Sequence, residues 1–127
     1  MAATCVALVD DEEPVRVALG RLLRLAGHAV LPFASGEEFL DSLASRMPDC
    51  VLLDVHMPGL KGLQVQDRLR AMGLQLPVIF ITASDEADLA RRALEGGGLL
   101  VLRKPFSNEL LLDAVRVALD SGLRRGG

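Results

Sequence analysis

Five short and almost wholly apolar runs recur along this 127-residue chain, each followed by a longer stretch with apolar residues at helical spacing. The runs are Cys5–Val9, Ala29–Phe33, Cys50–Leu53, Val78–Ile81 and Leu99–Leu102. Runs this short are strand-sized. The first, third and fourth show the continuous hydrophobicity of strands covered on both faces, where a half-exposed strand would alternate.

The intervening stretches read as helices. Val15, Leu19, Leu22, Leu23 and Ala26 form the first apolar stripe, with Asp11 placed to cap it and Pro14 in its first turn. The second opens on Ser35 with Glu38 three residues on, a capping-box pattern, and carries Phe39, Leu40 and Leu43. The third spans about Gly62 to Met72 on Val65, Leu69 and Met72, diluted by Gln66 and Asp67. The fourth starts near Asp85 with Leu89, Ala90, Ala93 and Leu94; the fifth follows Ser107 with Leu111, Leu112, Val115, Ala118 and Leu119. Five strand–helix repeats predict one α/β domain, a doubly wound sheet with helices on both faces.

The chain's length suits a single core, and with four Phe and neither Trp nor Tyr that core must be aliphatic. A formal charge of -3 argues against a nucleic-acid surface, and no apolar stretch approaches the roughly 20 residues of a membrane span. Cys5 and Cys50 lack metal-binding or CxxC spacing and read as buried free thiols. The first residues, Met1-Ala2-Ala3-Thr4, lack the features of a signal peptide, so the expected location is the cytoplasm.

Ligands of a doubly wound sheet bind beyond the carboxyl ends of its strands. Four of the five runs end there in reactive chemistry. Asp10, Asp11 and Glu12 follow the first run, Asp54 and His56 the third, Thr82 the fourth, and Arg103-Lys104-Pro105 the fifth. Each group has a bland reading alone: Asp11 as a helix cap, Thr82 as a cap for the fourth helix, Lys104-Pro105 as a solvated turn, His28 as a solvated turn residue. Together they are more specific. Three carboxylates at one sheet edge repel one another unless a hard divalent ion such as Mg²⁺ or Mn²⁺ joins them. Asp10, Asp11 and Asp54 would supply carboxylates to it and His56 its backbone carbonyl. A lysine and a hydroxyl at the same point suit the charge that develops on a transferring phosphoryl group, and a carboxylate among them can itself attack.

The segments Val9-Asp10-Asp11-Glu12, Leu53-Asp54-Val55-His56-Met57-Pro58-Gly59, Ile81-Thr82-Ala83 and Arg103-Lys104-Pro105-Phe106 resemble the four signature blocks of the response-regulator receiver family of bacterial two-component systems. The likeness is greatest to receivers of nitrogen-fixation and nodulation-type transcription regulators. It implies a CheY-like, flavodoxin-like fold of strand order 2-1-3-4-5 with five flanking helices, over residues 4–120, with 121–127 as a linker start or flexible tail. It further implies phosphorylation of Asp54 by a sensor histidine kinase, Mg²⁺ (or Mn²⁺) on Asp10, Asp11, Asp54 and the His56 carbonyl, and Thr82 and Lys104 engaging the phosphate. Pro105 would be cis. Such a protein is a switch with slow self-dephosphorylation rather than an enzyme acting on a separate substrate. A DNA-binding output domain outside this chain and a homodimer through the helix four–strand five face are further implications.

Two departures from the family pattern stand out. Val101 occupies the position, three before Lys104, where the family usually has Tyr or Phe, which leaves output coupling open. Gly96-Gly97-Gly98 replaces the usual Ala-Gly-Ala and predicts a dynamic end to the fourth helix. Rival readings are a stand-alone relay or docking receiver, a degenerate receiver working without phosphorylation, and a small phosphatase with an aspartyl intermediate. The last is disfavoured because no Asp-x-Asp follows a strand.

Overall fold

Successive residues of a strand point to opposite faces of a sheet, so an unbroken apolar strand must feed two cores. The computed structural model, which describes residues 4–126 with side chains through Ser121, has that arrangement. Strands β1 (Cys5–Val9), β2 (Ala29–Phe33), β3 (Cys50–Asp54), β4 (Val78–Thr82) and β5 (Leu100–Arg103) form one parallel sheet of order β2-β1-β3-β4-β5. They alternate with α1 (Glu13–Leu25), α2 (Gly36–Ser42), α3 (Gly62–Ala71), α4 (Ala87–Glu95) and α5 (Asn108–Gly126). Ala7, Val9, Val51, Leu53 and Phe80 pack with Phe39, Val65, Leu69, Leu89 and Ala93 from α2, α3 and α4. Val6, Leu8, Leu52, Ile79 and Ile81 pack on the other face with Leu23, Leu111, Val115 and Ala118 from α1 and α5.

The three unbroken runs are the three inner strands, every residue of which is buried. The outer β2 and β5 are only partly covered. Pro32, which has no N–H for a ladder, sits exposed on the edge strand β2.

Several local expectations need correction. β3 and β4 each run one residue further than their apolar runs, into Asp54 and Thr82, and β5 lies one residue later than Leu99–Leu102. Asp11 does not cap α1. The N-cap is Glu12, whose own N–H donates to Asp10 Oδ1 at 2.9 Å, so the first acidic residue takes the local bond. Ser35 does cap α2, accepting from the Glu38 N–H at 3.1 Å, but Glu38 reaches back to Ala34 N rather than to Ser35. α4 starts at Ala87 behind an N-cap Glu86, later than Asp85. On α3, Met72 is exposed at the C-cap, whereas Gln66 is buried. His28 is half-buried, its Nδ1 2.6 Å from Thr4 Oγ1. Ser107 caps α5 through the Leu110 N–H, and the linker foreseen at 121–127 falls almost entirely outside the described side chains.

Cys5 and Cys50 are buried free thiols, and burial pushes the Cys50 thiol up to about 12. No helix among the described residues is long and apolar enough to cross a membrane.

Candidate functional site

The register of the inner strands determines which side chains meet. Val9 pairs with Leu53, so Asp10 and Asp54 lie one step further along adjacent strands. Asp54 pairs with Ile81 and Thr82 with Arg103, which brings Thr82 and Lys104 to the same edge. Backbone bonds continue past the strands: Asp10 N donates to Phe33 O, Val55 N to Ile81 O, and Lys104 N to Thr82 O at 2.8 Å. The sheet, not the loops, thus sets these positions.

Carboxylate oxygens of Asp10, Asp11 and Asp54 all lie within 4.8 Å of one another. Asp10 is 1% exposed and Asp54 5% exposed, while Asp11 faces solvent. Asp54 Oδ1 accepts from the His56 N–H at 3.0 Å. Asp10 Oδ2 is buried without a hydrogen-bond partner, and Lys104 Nζ stands 4.0 Å from it. Burial pushes the Asp54 carboxyl up to about 6; the His56 N–H opposes this, and Asp10 and Asp11 add repulsion that Lys104 partly offsets. Burial also raises Asp10, against the Glu12 N–H and Lys104.

An unpaired, buried carboxylate oxygen facing two further carboxylates is unfavourable without a cation. All the donors in the cluster are oxygens, the set that Mg²⁺ prefers. The residues present therefore fit a magnesium pocket, with Asp10, Asp11 and Asp54 as its acidic wall. The His56 imidazole is exposed and outside the cluster, so only its backbone carbonyl is available to the expected role.

Thr82 is 3% exposed, and its Oγ1 accepts from the Ser84 N–H at 3.0 Å. It does not cap α4, which begins five residues later. The Lys104-Pro105 peptide is cis. Gly62 lies so close behind the site that a Cβ there would come within 2.6 Å of Asp54 O. Val101, on β5, borders a cavity of about 210 Å³ shared with Thr82, Ala87 and Ala90.

Sequence reasoning missed Arg16. Its guanidinium donates to the Asp10 carbonyl at 2.6 Å and ties the acidic loop to the first turn of α1. The signal was an Arg two positions after Pro14, on the helix immediately following the acidic residues.

Comparison with known proteins agrees with this geometry. The family described as "Response regulator receiver domain" matches residues 6–116. "Transcriptional regulatory protein TdiR" of Thauera aromatica is 42% identical over 92% of this chain and 52% of its own length. "Nodulation protein W" of Bradyrhizobium diazoefficiens is 38% identical over 94% of this chain and 53% of its own. The chain therefore spans about half the length of these curated relatives. The crystal structure of a response regulator receiver protein from Burkholderia phymatum superposes with a TM-score of 0.82 at 47% identity, covering 92% of this chain and 95% of that one. Sheet order, acidic pocket and sequence agree: this chain belongs to the response regulator receiver domain family and is a receiver of a two-component phosphorelay, a phosphorylation switch rather than a turnover enzyme.

Proposed function

We propose that Asp54 is the phosphoacceptor of this receiver, taking a phosphoryl group from the phosphohistidine of a sensor kinase. The observation that carries the reading is the position of Asp54, buried at the end of β3 within the carboxylate cluster and one strand from Thr82. Oδ1 is occupied by the His56 N–H, which leaves Oδ2 to attack phosphorus. An O–P bond forms as the N–P bond of the kinase histidine breaks, and its electron pair returns to the imidazole. Asp10, Asp11, Asp54 and the His56 carbonyl would hold Mg²⁺, which when bound neutralises the charge gathered on carboxylates and phosphoryl oxygens. Lys104 Nζ, already beside Asp10, pairs with the phosphoryl group, and the Thr82 hydroxyl exchanges its bond from Ser84 N–H for one donated to a phosphoryl oxygen. Water later hydrolyses the acyl phosphate.

The new dianion shifts the balance between two arrangements of the α4–β5 face. With Val101 in β5, that shift uses no rotating aromatic ring; the cavity beside Val101 and Thr82 provides room for a smaller movement. The same face is the proposed homodimer surface. A separate DNA-binding output domain is supported by relatives about twice as long as this chain, one of them named a transcriptional regulatory protein; that the receiver itself makes no DNA contact rests on its formal charge of -3. Kinship narrower than the family, with nodulation-type regulators, has support from "Nodulation protein W", but "TdiR" is at least as similar. The cytoplasm, where sensor kinases present their phosphohistidine, is the proposed location.

The test is intact mass after incubation with a small phosphodonor. One phosphoryl group should be added, dependent on both Mg²⁺ and Asp54. Equal incorporation in Asp54→Ala would move the acceptor elsewhere; none in the folded, Mg²⁺-supplied wild type would favour a docking module that works unphosphorylated.

A further inference from the structure

Among the described residues, only two side chains carry buried polar atoms without a hydrogen-bond partner. One is Asp10, explained by the magnesium pocket. The other is Gln66, whose Nε2 and Oε1 are both unpaired. Gln66 is 3% exposed on α3, on a helix face otherwise buried through Val65 and Leu69. A leucine would fill that position at no polar cost, so the carboxamide needs a reason to be there.

It has a cavity beside it. A space of about 340 Å³ lies between α3 and the turn from α4 to β5, lined by Gln66, Arg70 and Gln75, with apolar walls from Leu69 and Leu74. Val78, the first residue of β4, also lines it, which puts the cavity at the opposite end of the sheet from Asp54. Gly96 and Gly97 form the remaining wall. A Cβ on Gly97 would stand 3.1 Å from Gln66 Nε2, and Gly97 has a φ of +110° that other residues rarely adopt. The turn therefore lies directly against the carboxamide and covers its two polar atoms, so a ligand reaches them only as the turn at Gly96 and Gly97 moves aside.

We propose that this cavity is a second ligand site, in which Gln66 recognises the planar amide or lactam edge of a small anionic molecule. A carboxamide offers a donor and an acceptor side by side, and the complementary edge is another N–H beside a C=O. The Arg70 guanidinium on the same cavity wall supplies the countercharge for a carboxylate or phosphate. The leucines accommodate a compact apolar body, and the volume is at the lower end of the range for small-molecule sites. The site is independent of phosphorylation chemistry, so its test stands whether or not Asp54 is the acceptor.

Orotate carries both the lactam edge and a carboxylate and is the probe; benzoate, with the charge alone, is the control. Titration of ¹⁵N-labelled protein at millimolar concentration should shift the Gln66 side-chain amide and the backbone amides of Gly96–Gly98 with orotate and not with benzoate. Gln66→Leu and Arg70→Ala should each weaken orotate binding by about tenfold or more, the loss of one good polar contact. Gln66→Leu should also melt higher than wild type without ligand, since it removes two unpaired buried atoms. No orotate-induced shift, shifts that survive Gln66→Leu, or equal response to benzoate would overturn the proposal. A lower melting temperature for Gln66→Leu would show instead that the carboxamide holds the fold together.

Discussion

Asp54 is an acid kept out of water, and that leaves a signature in stability as well as in chemistry. Its carboxyl stands at about 6 in the folded chain against 3.8 for an unperturbed aspartate. Between those values the folded protein holds a proton that the unfolded chain has released, so stability falls as pH rises through the window. The loss above it is on the order of 3 kcal/mol, and the raised Asp10 acts in the same direction. Asp54→Asn should therefore be more stable than wild type in metal-free buffer at about pH 7.5, and the two should converge by about pH 4. Urea melts at both pH values check this. Parallel profiles would mean that Asp54 titrates at its ordinary value.

At the level of elements, the glycine run after α4 is the clearest case of a sequence feature whose role only packing reveals. Composition predicts a loose segment. The structure gives Gly97 a left-handed turn and packs Gly98 so tightly that a Cβ would meet Phe80 Cε2 at 2.6 Å and Ala93 O at 2.8 Å. Gly98→Ala should cost about 1–3 kcal/mol through overpacking, measured by denaturant unfolding. A neutral result would mean that Phe80 and α4 yield easily. Elsewhere the inner strands were legible because double-sided burial removes alternation altogether. Their last residues were not, because Asp54 and Thr82 are strand by hydrogen bonding and site by chemistry. The stripe on α3 misled for the same reason as Gln66: burial follows the direction of the side chain, not its polarity. The acidic cluster was readable from strand ends, whereas Arg16 acts through a backbone carbonyl, a contact that its place two positions after Pro14 does not by itself specify.

Across the whole molecule, the sheet separates two bodies of side chains. Val65 belongs to the layer of α2, α3 and α4; Val115 belongs to that of α1 and α5. Each is wholly buried, and truncation of either to alanine should cost about 2 kcal/mol. Their costs should add to within about 0.5 kcal/mol in the double variant, since the sheet lies between them. A larger departure would show that strain passes through the strands. If the costs add, the chain is insulated across its thickness. One side can then be loosened or repacked over evolutionary time, as a new partner demands, while the other goes on holding the same five strands in register.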